Sequence, residues 1–142
     1  MYGLAEWAHT ELAGASRVAV PGCFATAISM ASAPFVKKGL VAGPIRVVAA
    51  TGSTGLGTTP SKSGHHPERF TNLKAYKVLT HQHCPEVETF LRGVGEFDGL
   101  KFVPLSAPVD RGILASVMIP LTDDLDDAQT QDILQDAYGH HP

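Results

Sequence analysis

Two short stretches of this 142-residue chain carry the side chains best suited to covalent chemistry. In VAVPGCFATA, residues 18–27, Cys23 follows Pro21-Gly22 and precedes a run with helical spacing. Glycine permits close approach by backbone or substrate, and a helix start turns its N–H groups and positive dipole end toward the sulfur. That setting favours the thiolate, the nucleophilic form of cysteine. The same residue also reads as a small buried hydrophobe. In THQHCPE, residues 80–86, His81 and His83 lie two apart, so an extended backbone would turn both rings to one side. Imidazole serves near pH 7 as the base a thiol needs and as the proton donor an oxyanion needs. Glu86 is near enough to orient one ring or to hold a substrate amide. His81, His83 and Cys84 also read as zinc ligands, although a fourth ligand at the usual spacing is missing.

A third stretch, TGSTGLGTT (residues 51–59), joins small residues to the end of an apolar run. Loops of this kind expose N–H groups that can cradle an anion, and a plain Gly-rich turn has the same composition. The stretch is neither a phosphate-binding loop ending in Gly-Lys-Ser/Thr nor the Gly-x-Gly-x-x-Gly dinucleotide fingerprint. His65-His66 and His140-His141 read as solvated loop and tail.

The elements around these stretches follow from spacing. Ala25, Ile28, Ala31 and Phe35 predict a helix from Phe24 to about Lys38, stopped at Gly39. IRVVAAT (residues 45–51) reads as a buried strand, and LKAYKVLT (residues 73–80) as another. HCPEVETFLRGVG reads as a helix with Pro85 in its first turn and Val87, Phe90, Leu91 and Val94 as its apolar stripe. LKFVPL and GILASVMIPL read as two further strands, and a last helix runs from about Asp126 to Ala137. Residues 51–69 and 122–127 read as loops. The sum is an α/β chain of α+β type, with a mixed, largely antiparallel sheet and helices on one face.

With 44% hydrophobic and 18% charged residues, the chain suits one globular domain. A net charge of -3 offers no basic footprint for nucleic acid or an anionic membrane, and no apolar run is long enough to span a bilayer. MYGLAEWAHTEL lacks the basic-then-apolar layout of a secretory signal, so Cys23 and Cys84 are expected as free thiols in the cytoplasm, a structural disulfide being the minor alternative.

MYGLAEW, VPGCFATA, GSTGLG, YKVLTHQHCPEV and VPLSAPVDRGILASV occur in that order from Tyr2 to about Pro120. Together they resemble the N-acetyl-gamma-glutamyl-phosphate reductases, NADPH-dependent enzymes of arginine biosynthesis. The resemblance implies that Cys23 attacks an acyl phosphate, expels phosphate and holds a thioester, which NADPH reduces to the aldehyde. It implies His83 as the acid/base partner and His81, Glu86 and Arg111 as substrate-binding residues. Ser53, Thr54, Gly55 and Gly57 become the candidates for contact with NADP(H). The fold implied is that of the C-terminal domains of glyceraldehyde-3-phosphate and aspartate-semialdehyde dehydrogenases. A homodimer or homotetramer is implied for the full-length enzyme. Family members are longer and carry a nucleotide-binding domain whose Gly-rich fingerprint is absent here. Residues 1–142 are therefore expected to form an incomplete catalytic and dimerisation domain, inactive or very weak alone. A relative acting on carrier-bound aminoadipyl phosphate is the nearest alternative, while HQHCPE argues against aspartate-semialdehyde dehydrogenase itself. A non-catalytic remnant that keeps the fold is the reading from another class.

Overall fold

A computed structural model describes residues 1–141. Helix α1 spans Ala5–Leu12 and α2 spans Cys23–Lys37; strand β1 covers Ile45–Thr51. Two 3-10 turns, Ser53–Leu56 and Lys62–Gly64, lead into the short helix α3 (His66–Arg69) and strand β2 (Lys74–Ala75). Then follow α4 (Cys84–Val94), β3 (Leu100–Ser106), β4 (Ile113–Met118) and α5 (Asp127–Tyr138). The strands form one mixed sheet in the order β2-β3-β1-β4. β1 runs parallel to β3 and antiparallel to β4, and β2 is antiparallel to β3. β3 and β4 run in opposite directions but do not pair, because β1 lies between them.

Alternation along the strands decides which face is covered. Ile45, Val47 and Ala49 are buried while Arg46 and Val48 are exposed, and β3 repeats the pattern with Leu100, Phe102 and Pro104 buried. α2 packs over this buried face against β4 and α4, and α4 packs against β3. Phe24, Ile28 and Val36 of α2 and Val87 and Leu91 of α4 complete the core. Among the described residues no helix covers the opposite face, and Val48, Leu114 and Met118 are exposed there.

Pro34 inside α2 has no N–H to give the carbonyl four residues back. That carbonyl, Met30 O, accepts instead from the Tyr138 hydroxyl at 2.6 Å, and the Trp7 indole N–H donates to the same hydroxyl at 3.0 Å. One phenol thus joins α1, α2 and α5. Helix α5 starts at a capping box, in which Gln129 N–H donates to Asp126 Oδ1 and Asp126 N–H to Gln129 Oε1.

Most predicted elements are present within a residue or two. The strand expected over residues 73–80 is corrected to Lys74–Ala75. Lys77 and Leu79 adopt φ of 43° and 58°, which curls the chain into turns that its alternating pattern did not reveal. Helix α1 was not predicted, and the 51–69 loop contains the helix His66–Arg69.

Tyr138→Phe should lower stability by about 1–3 kcal/mol, because it strands the Met30 carbonyl and the Trp7 N–H without their partner. A lower urea midpoint with an unchanged slope is the expected reading.

Candidate active site

The parallel strands β1 and β3 end side by side at Thr51 and Ser106, and a cavity of about 430 Å³ opens beyond them. Such a crevice at the carboxyl ends of parallel strands is where open α/β sheets take ligands. Cys23, the first residue of α2, lines it with the neighbouring Phe24. The turn after β2 contributes Tyr76, His81 and His83, and α3 contributes Arg69.

The two motifs meet at Gly22. A side chain there would collide with the His83 ring, so glycine is what allows the imidazole to lie against the backbone leading into Cys23. Gly22 N–H donates to Glu86 Oε1 at 2.9 Å, and the Tyr2 hydroxyl donates to the same oxygen at 3.0 Å. Glu86 therefore straps the cysteine loop to the first turn of α4. It borders a separate, more open groove and not the Cys23 cavity.

His81 and His83 come together through a turn, which replaces the extended backbone expected for them. His83 N–H donates to His81 Nδ1 at 3.2 Å, Cys84 N–H donates to His81 O at 2.9 Å, and the ring centroids lie 4.6 Å apart. His81 is 4% exposed, edge-on to Phe24 and Phe102. Burial, helped by His83 and Lys77, lowers its pKa to about 4. With Nδ1 already accepting a hydrogen bond, His81 is a neutral ring and a poor general base. His83 is only half-buried; burial lowers its pKa, Lys77 adds to that, and the Glu86 carboxylate opposes it. It is thus neutral at pH 7 and able to accept a proton. Its Nδ1 has no hydrogen-bond partner among the described residues.

The two cysteines are distinct. Both are free thiols, Cys23 exposed and Cys84 half-buried, and burial pushes the Cys84 thiol up. No group of three or more potential metal-ligating side chains occurs among the described residues.

The Gly-rich loop is built differently from an anion cradle. Gly52, Ser53 and Thr54 N–H groups donate to the carbonyls of Gly112, Val109 and Asp110, and Gly57 N–H donates to Thr54 O. A side chain at Gly52 would strike the Asp110–Arg111 backbone. Of the loop residues singled out from sequence, Gly55 reaches the cavity, whereas Ser53, Thr54 and Gly57 do not border it. Arg111 is exposed on the opposing turn, outside the cavity. The guanidinium that does enter is that of Arg69, which is 8% exposed. In sequence it is one more charge in a loop, HHPER, and only the packing of α3 under the cavity buries it.

An exposed cysteine at a helix start, a neutral histidine against the preceding glycine and a buried arginine line one cavity. The family model of the semialdehyde dehydrogenase dimerisation domain matches residues 23–142, and the chain belongs to that family. Among its relatives are N-acetyl-gamma-glutamyl-phosphate reductases. That of Bacillus cereus (strain B4264) is 36% identical over 144 aligned residues, covering 100% of this chain and 42% of the relative. Those of Bacillus anthracis and Bacillus mycoides (strain KBAB4) are also 36% identical, over 97% and 99% of the chain and 41% of each relative. The chain thus spans about two fifths of the length of the curated relatives it matches. No helix among the described residues is long and apolar enough to cross a membrane.

His81 should titrate near pH 4 in an NMR titration and remain neutral at pH 6. Its folded pKa lies below the unfolded value of 6.5, so the unfolded chain binds the proton first. The stability that neutral His81 contributes is therefore present above 6.5 and lost as pH falls from there toward 4.

Proposed function

We propose that the Cys23 cavity is the acyl-transfer centre of an NADPH-dependent reductase acting on N-acetyl-gamma-glutamyl phosphate, as the names of the relatives suggest. The observation that carries the reading is that Cys23, at the start of α2, and the neutral ring of His83, which lies against the Gly22 backbone, line one cavity. His83 takes the thiol proton, and Sγ bonds to the acyl carbon. The carbon–oxygen bond to phosphate then breaks, phosphate leaves with the electron pair, and a thioester remains on Cys23. The first N–H groups of α2 have no side-chain cap, so they are available to the oxyanion formed at the acyl oxygen. The buried Arg69, with Lys74 and Lys77, gives the cavity a positive lining that suits an acyl phosphate.

NADPH, when bound, supplies the hydride that turns the thioester into aldehyde and returns the thiolate. Gly55, one of the loop residues that line the cavity, would help to hold its nicotinamide end. The chain leaves β1 into a 3-10 turn and not a helix, so no helix N-terminus there is aimed at a pyrophosphate. Most of the dinucleotide contact would belong to a separate nucleotide-binding domain. A reducing, cytoplasmic setting would keep both cysteines as thiols, and the name of the relatives fits a place in arginine biosynthesis.

The bare face of the sheet is proposed as the self-association surface, in keeping with the family's description as a dimerisation domain. Leu114 of β4, 74% exposed, sits there opposite Ala50 of β1, with Val48 and Met118 exposed on the same face.

Incubating the chain with N-acetyl-gamma-glutamyl phosphate should add the acyl mass to Cys23, removable by hydroxylamine. Cys23→Ser should show no adduct, and His83→Asn should form it about a hundredfold more slowly, the lower end of the range for general acid–base catalysis. Wild-type chain that stays unmodified would indicate a non-catalytic remnant. Leu114→Asp should convert an oligomer to monomers in light scattering without changing the circular dichroism spectrum.

A further inference from the structure

Arg69 is the one buried residue with a formal side-chain charge, and it has no carboxylate partner among the described residues. Its three hydrogen bonds go to neutral acceptors: Nη1 donates to Ser106 Oγ at 2.6 Å, and Nη2 donates to Ala107 O at 2.8 Å and Thr51 O at 3.4 Å. Guanidinium carries five N–H donors, so two remain for something else. A buried cation matched only by neutral dipoles is costly, since the lost hydration is not repaid by an opposite charge. The counter-charge has an obvious place to come from. Arg69 and Cys23 line the same cavity, where Lys74 and Lys77 are further cations and Glu68 is the sole acid. The Gly-rich loop offers little competition, because its first N–H groups are committed to the 109–112 turn.

We propose that Arg69 is the oxyanion-binding residue of this site: anchored by Ser106, Thr51 and Ala107 at the strand ends, it offers its two remaining donors to an acidic group of the substrate whose acyl carbon meets Cys23. The assignment rests on the acyl-transfer reading for the identity of the substrate, but the anion site itself stands on the geometry of Arg69. Phosphoryl and carboxylate oxygens share the required chemistry, and an acylamino-acid phosphate carries both. The rigid fork also sets specificity, because a lysine in the same place supplies a point charge without paired donors.

Calorimetric titration of the chain with inorganic phosphate and, separately, with N-acetylglutamate tests the proposal. Wild type should bind at least one probe, and Arg69→Met should weaken it by about tenfold to a hundredfold, the range for charge-assisted hydrogen bonds. Arg69→Lys should recover part of that loss. Loss confined to phosphate identifies the phosphoryl group as the natural occupant, and loss confined to N-acetylglutamate identifies the spectator carboxylate. If the variants fold poorly, wild-type Cys23 gives a second reading: iodoacetate should outpace its neutral analogue iodoacetamide, and the bound probe should slow both. Equal binding by wild type and Arg69→Met, or no binding and no preference for iodoacetate in the wild type, would overturn the assignment. Failure of the acyl phosphate to modify Cys23 with anion binding intact would instead remove the acyl-transfer reading and leave Arg69 as an anion site.

Discussion

The contact between Gly22, His83 and Glu86 holds the site together. Cys23 starts one helix and His83 immediately precedes another, some sixty residues later, and neither helix alone fixes the distance between them. The missing side chain at Gly22 lets the imidazole ring approach the backbone, and the Glu86 carboxylate clamps that backbone through its N–H. Tyr2 donates to the same carboxylate oxygen, which brings the N-terminal segment into the clamp. The helix pair α2–α4 is packed along its length by Phe24, Ile28, Val87 and Leu91, so a shift at this junction would be resisted by the core itself.

Electrostatics divides labour among similar side chains. His81 and His83 differ by two positions and a few ångströms, yet one is sealed among aromatic rings and the other borders Glu86. Burial removes His81 from proton transfer at neutral pH and makes it a support whose Nδ1 orients the next peptide. The same factor separates the cysteines, since Cys84 is kept as a thiol by burial while Cys23 opens into the cavity. Arg69 is the exception to the rule that buried charges are paired, and it lies where an anionic substrate would supply the pair.

The sheet is asymmetric for a reason visible in its alternation. One face is closed by α2 and α4, and the other keeps Val48, Leu114 and Met118 in contact with solvent. α2 tolerates a proline because Tyr138, from the far end of the chain, supplies the donor that Met30 lacks. That donor comes from more than a hundred residues away, which no local pattern announces.

By itself, the sequence determined the elements that rest on local periodicity and punctuation: β1, β3, β4, α4, α5 and the helix opening at Cys23. It also singled out Cys23, His81 and His83 as side chains suited to chemistry, because thiol and imidazole groups are reactive whatever the fold. Tertiary structure decided where those residues lie and what surrounds them. It turned the extended stretch before His81 into left-handed turns, gave Glu86 an internal hydrogen bond, and spent the Gly-rich loop's N–H groups on a neighbouring turn. It left Arg111 outside the cavity and brought Arg69 in. Burial and partner choice are properties of the packed interior, and a residue's charge state follows from what surrounds it in space, not from its neighbours along the chain.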